Sequence, residues 1–270
     1  MRILFVGGGN MASALIGGMV KQGVRASDMR VVEISGPARA RLQEQYGVRL
    51  TDSIGDAEID EDVVLIAVKP QQAQLVAADL RSKLQGQLVI SIAAGIRTRD
   101  FSSWLGGHER IVRVMPNTPA LVGSGISALF AGKQIGRADR EVARQILAAV
   151  GKVLWLENED QMDIVTAVSG SGPAYVFYFM EALQQAAESS GLNAEQAREL
   201  VIETFLGAAK LAASGDEPTA LLRQRVTSKG GTTEQALKVL EAHGTKQNIV
   251  DAVRAAEQKS RELGDELGSS

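Results

Sequence analysis

Met1-Arg2-Ile3-Leu4-Phe5-Val6-Gly7-Gly8-Gly9-Asn10-Met11-Ala12 opens the chain: an apolar run, three glycines, then the start of an amphipathic stretch. Ile3–Val6 reads as a buried strand and Met11–Gln22 as a helix, with Met11, Ala14, Leu15, Gly18 and Met19 on one face and Gly23 ending it. Between them, residues 7–12 fit Gly-x-Gly-x-x-Ala. Each position has a physical task. Gly7 allows a tight turn, Gly9 lets backbone approach a pyrophosphate, and Ala12 permits close helix–strand packing. The helix start then turns free N–H groups toward an anion. A glycine-rich turn with no ligand is the plain alternative, but the strand–turn–helix context argues for a dinucleotide site that includes Gly8, Asn10 and Met11.

The same rhythm continues outward. Arg30–Ile34 reads as a strand and Ala38–Tyr46 as a helix. Asp62–Val68, Leu88–Ala93 and Ile111–Met115 read as strands, and Asp62–Val68 is continuously apolar from Val63 onward, as a parallel strand buried on both faces must be. Gly125–Ala131, a helix over Ala138–Val150 and the strand Val153–Glu157 complete this part. Alternation of this kind predicts an α/β, doubly wound parallel sheet. After about Glu159 no strong strand signal remains. Helices are expected over Ala174–Ser190, Asn193–Ser214, Glu217–Thr227, Thr232–Ala242 and Asn248–Leu267. A dinucleotide-binding domain over residues 1–158 and a helical substrate-binding and dimerisation domain over 159–270 follow. The helices Tyr175–Ala187 and Leu200–Ala213 are apolar enough to suggest burial against a second copy, with one monomeric core as the alternative.

Composition excludes several classes. The chain has 270 residues, 45% of them apolar and 23% charged, with a formal net charge of −3. That balance argues against a nucleic-acid surface. It has no cysteine, so no disulfide, thiolate nucleophile or cysteine-bound zinc, and only His108 and His243 for a histidine metal cluster; no metal is expected. No stretch approaches the roughly 20 apolar residues of a membrane span, and a cytoplasmic protein is expected.

Ligands of a doubly wound sheet lie beyond the carboxyl ends of its strands. Glu33, at the end of the second strand, can accept hydrogen bonds from a ribose 2′-hydroxyl and would repel a 2′-phosphate. Arg39 and Arg41 lie just downstream and could reach such a phosphate, so cofactor choice stays open. Ala67-Val68-Lys69-Pro70, Ala93-Ala94-Gly95 and Met115-Pro116-Asn117-Thr118-Pro119 occupy the next strand ends. Lys69 is either a surface lysine or a cofactor contact. In the second half, Ser169-Gly170-Ser171-Gly172-Pro173-Ala174 carries a serine N-cap and first-turn proline signal, with little side-chain bulk. Thr227-Ser228-Lys229-Gly230-Gly231-Thr232-Thr233 opens a further helix, with Thr232 and Gln235 spaced as a capping box. Its glycine amides and helix dipole suit a carboxylate, and Thr233 adds a hydroxyl that donates and accepts.

These segments, in this order and over nearly the whole length, resemble the pyrroline-5-carboxylate reductases: Gly-Gly-Gly-Asn-Met-Ala at 7–12, Ala-Val-Lys-Pro at 67–70, Ser-Ile-Ala-Ala-Gly at 91–95, Met-Pro-Asn-Thr-Pro at 115–119, Ser-Gly-Ser-Gly-Pro-Ala-Tyr at 169–175 and Thr-Ser-Lys-Gly-Gly-Thr-Thr at 227–233. The resemblance implies a Rossmann domain plus a helical dimerisation domain, in homodimers that often assemble five to a decamer. It implies reduction of 1-pyrroline-5-carboxylate to L-proline by NADPH or NADH, with Gly7 to Ala12, Ala67 to Pro70 and Ala93, Ala94 and Gly95 at the cofactor. It places the substrate at Ser228, Gly230, Gly231, Thr232 and Thr233, approached by Glu159. This chain departs from the family pattern at Lys229, where proline is frequent, and at Glu33, where members preferring NADPH usually lack an acid.

The expected mechanism is hydride delivery to C5 of an imine that is already electrophilic when protonated. Amides at 230–233 would hold the carboxylate, and Thr233 Oγ would bond the ring nitrogen. Two other classes remain. A 3-hydroxyacid dehydrogenase of similar two-part design would need a lysine early in the helix after Gly-Ser-Gly, and none stands in Pro173–Tyr178. A non-catalytic NAD(P)-binding sensor would bind cofactor without oxidising it.

Overall fold

The computed structural model describes residues 1–55 and 59–268. Its first unit is Met1–Ser171 together with the chain from Ala255 onward; the second is Gly172–Arg254.

β1 (Ile3–Val6) is buried along its whole length and is an interior strand of the first unit's sheet. β2 (Met29–Val32) and β4 (Val63–Ile66) flank it in parallel, with Ile3 level with both Met29 and Val63. With β3 (Arg49–Thr51), β5 (Leu88–Ser91), β6 (Ile111–Met115), β7 (Gly125–Ala131) and β8 (Gly151–Trp155), the sheet has the order β3-β2-β1-β4-β5-β6-β7-β8. Strand alternation sends Ile3 and Phe5 into the core on one face and Leu4 and Val6 into the core on the other. α1 (Asn10–Lys21), α2 (Gly36–Tyr46) and α5 (Arg137–Ala148) supply Leu15, Ile16, Leu42 and Leu147 to the first core. α3 (Pro70–Arg81) and α4 (Thr98–Trp104) supply Leu80 and Phe101 to the second. Burial on both faces is why these strands read as unbroken apolar runs.

The expected doubly wound sheet is present, with one departure from parallel pairing: β6 and β7 run antiparallel. Only a short link joins them, built around a single 3₁₀ turn at Thr118–Val122. A parallel return needs a crossover of a dozen or more residues, which this link does not provide. β3, α3 and α4 carry weak sequence signals because each is short or only moderately amphipathic, and their positions come from packing.

The last strand ends at Trp155, but the first unit continues through α6 (Gln161–Val165) and a π-helical turn at Thr166–Gly170. Met162 and Ala167 are buried there. This corrects the serine N-cap expected between Ser169 and Ala174, ahead of a helix over Ala174–Ser190. Ser171 N–H donates to Thr166 O at 2.8 Å, so the chain stays helical through the serine instead of being capped by it. In the second unit are α7 (Gly172–Ser189), α8 (Ala194–Ala213), α9 (Thr219–Arg225) and α10 (Thr232–Ala242). Asn193 and Gln196 form a reciprocal capping box at the head of α8. α11 (Thr245–Gly268) begins in the second unit and ends in the first. In the first unit it is fastened by Ser260 Oγ donating to Asp163 Oδ1 at 2.7 Å and by Arg97 meeting Asp265 at 2.6 Å.

Gly18 marks the tightest helix packing. A Cβ there would stand 2.4 Å from the backbone carbonyl oxygen of Ala149, beside the end of α5. Gly18→Ala must push two elements apart and is expected to destabilise the fold by about 1–3 kcal/mol, read as a lower urea midpoint at unchanged slope.

Candidate dinucleotide and substrate site

The strand order reverses between β1 and β4, and the glycine turn lies across that reversal. Gly7 has φ +101°, and a Cβ on it would meet the carbonyl oxygen of Ala67 at 2.6 Å. Only glycine satisfies both the conformation and the close approach. Gly7 N–H donates to Val32 O, and Ala67 N–H to Val6 O, each at 2.8 Å, which fixes the turn to β2 and β4. Gly9 is the N-cap of α1, and its missing side chain leaves open space with nothing within 4 Å. Asn10 is the first residue of α1 and is exposed, Met11 is partly buried, and Ala12 is buried in the core, so Ala12 serves packing.

Glu33 folds back over this turn. Its Oε2 accepts Gly8 N–H at 2.8 Å and its Oε1 accepts Ser35 N–H at 2.7 Å. Arg39 does not face outward toward a phosphate: its Nη1 donates to the carbonyls of Glu33 at 2.6 Å and Ile34 at 3.0 Å. A cleft of about 680 Å³ opens alongside, lined by Gly7, Gly9, Glu33, Asp52, Lys69 and Asp79 among others. That size is usual for a cofactor site. Ala67 and Val68 also line it. Lys69 is the N-cap of α3 and Pro70 its first residue. Open backbone at a helix start, a glycine with free space in place of a side chain and a cleft of this volume fit the phosphates and adenosine of a dinucleotide.

The next strand ends are organised differently. Ala93 is buried, and Gly95, at φ +81°, lies against the backbone of Gly264 in α11. Glu159 is held inside the first unit. Oε1 accepts Thr98 N–H at 2.8 Å and pairs with Arg113 at 3.1 Å, while Oε2 accepts the Thr98 hydroxyl at 2.8 Å. Arg113 and Thr98 did not stand out in the sequence reading. An arginine inside Ile-Val-Arg-Val-Met was the available signal, because a charge in a buried strand needs a partner. Asp52 and Asp79, in the cleft wall, carried no such signal.

In the second unit, Gly230 has φ +75° and Gly231 is the N-cap of α10. The Thr232–Gln235 capping box does not form, because the helix starts one residue earlier than that box requires. Glu234 acts instead, its Oε2 accepting Gly230 N–H at 2.7 Å. Gly231 N–H donates to Ser228 O at 3.0 Å. A Cβ on Gly231 would press on Ser228 Oγ at 2.5 Å, so the glycine makes room for that hydroxyl. Two of the four amides expected to grip a carboxylate are therefore used internally. Those of Thr232 and Thr233 lie in the first turn of α10, where helix amides have no intrahelical acceptor.

Fold and cleft define a Rossmann-type dinucleotide-binding protein. Comparison with known proteins narrows the class. Residues 2–95 match the family model described as NADP oxidoreductase, coenzyme F420-dependent, and residues 159–263 match pyrroline-5-carboxylate reductase dimerisation. The chain is 46% identical to the pyrroline-5-carboxylate reductase of Pseudomonas aeruginosa, over 99% of its own length and 98% of that relative. It is 43% identical to the Haemophilus influenzae enzyme, over 97% of each. Among solved structures, a pyrroline-5-carboxylate reductase from Coxiella burnetii superposes with TM-score 0.91 at 42% identity, over 97% of this chain and 98% of that one. The Plasmodium falciparum pyrroline carboxylate reductase with NADP bound gives 0.87 at 31%, over 98% of each. The chain belongs to the pyrroline-5-carboxylate reductase family and is an NAD(P)-dependent oxidoreductase. It carries the family's dimerisation segment, and no helix among the described residues is long and apolar enough to cross a membrane.

Glu159→Gln would leave the buried Arg113 guanidinium facing a neutral amide. The expected loss is about 3–5 kcal/mol of stability by chemical denaturation. A change below 1 kcal/mol would show that the pair is not acting as a buried one.

Proposed function

We propose that this chain reduces the C=N bond of 1-pyrroline-5-carboxylate to give L-proline, the last step of proline biosynthesis, and does so in the cytoplasm. The observation that carries the reading is the Gly7–Gly9 turn opening on a dinucleotide-sized cleft, in a chain alike over 99% of its length to a reductase of that name. When bound, reduced nicotinamide supplies the hydride that adds to C5 of the ring. The residues of this chain bind and orient. Gly7 to Ala12 form the phosphate turn, Ala67 to Pro70 the wall beside it, and Ala93 to Gly95 the platform at the next strand end. In the second unit, the amides of Thr232 and Thr233 hold the substrate carboxylate within the Ser228 to Thr233 turn, and Gly230 joins them when Glu234 releases its N–H. Thr233 Oγ bonds the ring nitrogen and keeps its proton in place while C5 is reduced. Glu159 acts through Thr98 and Arg113, fixing the start of α4, and is a positioning residue in this reading.

Holding two reactants in a productive geometry can supply roughly 7–11 kcal/mol of a barrier. The imine is electrophilic once protonated, so placement is the principal demand on the protein. The domain division at residue 158 and assembly as a homodimer, with five dimers forming a decamer, belong to the same reading. The exposed Phe177, Tyr178, Leu200 and Leu211 support self-association.

Cofactor use turns on Glu33. Three carboxylates, Glu33, Asp52 and Asp79, line the cleft beside Lys69, and Arg39 is occupied by carbonyls. That charge pattern favours the ribose diol of NADH, while NADPH remains a substrate.

The test is spectrophotometric consumption of NADH and NADPH with pyrroline-5-carboxylate; no consumption of either removes the assignment. Thr233→Val should lower kcat/KM for the imine by about 100-fold, the usual effect of losing one positioned donor, and unchanged turnover would remove Thr233 from the chemistry. Glu33→Ser should shift the ratio of kcat/KM values toward NADPH by about 10-fold. An unchanged ratio would show that another group sets the preference.

A further inference from the structure

At the carboxyl end of β6 stands a polar pair to which none of these roles has been given. Asn117 Oδ1 accepts Ile126 N–H at 2.9 Å, and Asn117 Nδ2 donates to Ser169 Oγ at 3.2 Å. The first bond fixes the amide, because a backbone N–H must face the oxygen and the nitrogen then points to Ser169. The second bond fixes the serine. Its oxygen spends a lone pair on Asn117, so its own proton is left to be donated. Among the described residues that proton has no hydrogen-bond acceptor. Ser169 is half-buried and lies in the π-helical turn Thr166–Gly170, a distortion that recurs at functional sites. The turn is seated on β6: a Cβ on Gly170 would stand 2.4 Å from Met115 Cε. β6 adjoins β5, whose end carries Ala93, Ala94 and Gly95.

We propose that the Ser169 hydroxyl is a hydrogen-bond donor to a carbonyl or carboxylate oxygen of a ligand lying over the strand ends, and that Asn117 is the positioning residue that directs its proton there. This rests on the reductase reading for its two sources of such an oxygen: the carboxamide of nicotinamide and the carboxylate of the cyclic imine. A purely structural pair, stitching the π turn to β6, would need the bond but not its direction. Asn117→Asp separates the two. A carboxylate there still accepts Ile126 N–H and still bonds Ser169, but it does so by accepting the serine's proton, which is then lost to the ligand.

The experiment measures wild type, Ser169→Ala, Ser169→Thr and Asn117→Asp in three ways: NADH affinity by fluorescence titration, ADP-ribose affinity by calorimetry, and KM for pyrroline-5-carboxylate. Ser169→Ala and Asn117→Asp should each cause a loss of about 3- to 10-fold, the size of one hydrogen bond, while Ser169→Thr, which keeps the hydroxyl, should stay near wild type. If NADH binding weakens and ADP-ribose binding does not, the acceptor is the carboxamide. If both are unchanged and KM rises, it is the carboxylate. The proposal is overturned if Asn117→Asp matches wild type in all three, or if ADP-ribose affinity falls in step with that for NADH. Should Ser169→Ala fail to fold, the isosteric Asn117→Asp decides alone. A wild type that binds NADH but turns over no imine defeats the reductase reading, and the NADH and ADP-ribose titrations still decide this one.

Discussion

The approach of Gly7 to the carbonyl of Ala67 is the constraint on which the rest of the first unit depends. It occurs where the strand order reverses, between β1 and β4, and it needs both a positive φ and the absence of a Cβ. Met with glycine, it turns the chain sharply enough for α1 to begin just after the strand end, with Gly7 and Gly9 lining the cleft. Any side chain there would have to displace backbone, and the cleft wall formed by Ala67, Val68 and Lys69 would move with it. The geometry of this candidate phosphate site is thus set by packing between main-chain atoms, which tolerates little adjustment.

In each unit, carboxylates are spent on backbone amides. Glu33 satisfies Gly8 and Ser35, Glu159 satisfies Thr98 while neutralising Arg113, and Glu234 satisfies Gly230. A carboxylate accepting a backbone N–H forms a charge-assisted bond and orders the loop it reaches. The three differ in what a ligand would ask of them. Glu159 closes a part-buried pair with the buried Arg113, and both its oxygens are engaged. Glu33 and Glu234 each occupy an amide beside a candidate anion site, so ligand charge and protein charge compete for the same donors. This is a physical basis for discrimination by charge at both turns.

The second unit has a different economy. α7 buries none of its residues within the single chain, and α8 buries only Ala197 and Val201. Large apolar side chains such as Phe177 and Tyr178 remain exposed. A helical unit so poor in internal core gains little from folding alone, and the match of its sequence to a dimerisation family gives that surface its purpose.

Much of this was legible in the residues. Ile3 to Ala12 specified strand, turn and helix; Ile111–Met115, Gly125–Ala131 and Thr232–Ala242 have the bounds the sequence pattern gave them; and six ordered motifs pointed to the family. Periodicity and glycine placement act within one or two turns of chain, so sequence alone settles them, whereas the caps expected at Ser169–Ser171 and at Thr232 gave way to the packing around them. The antiparallel β6–β7 pair, the return of α11 to Asp163, the inward turn of Arg39 and the π turn at Ser169 were decided only in the tertiary structure. Ser260 finds Asp163 across 97 positions, Asn117 finds Ser169 across 52 and Gly8 finds Glu33 across 25. No local propensity encodes such pairings, because each depends on which faces the sheet and its helices bring together once the apolar core has closed.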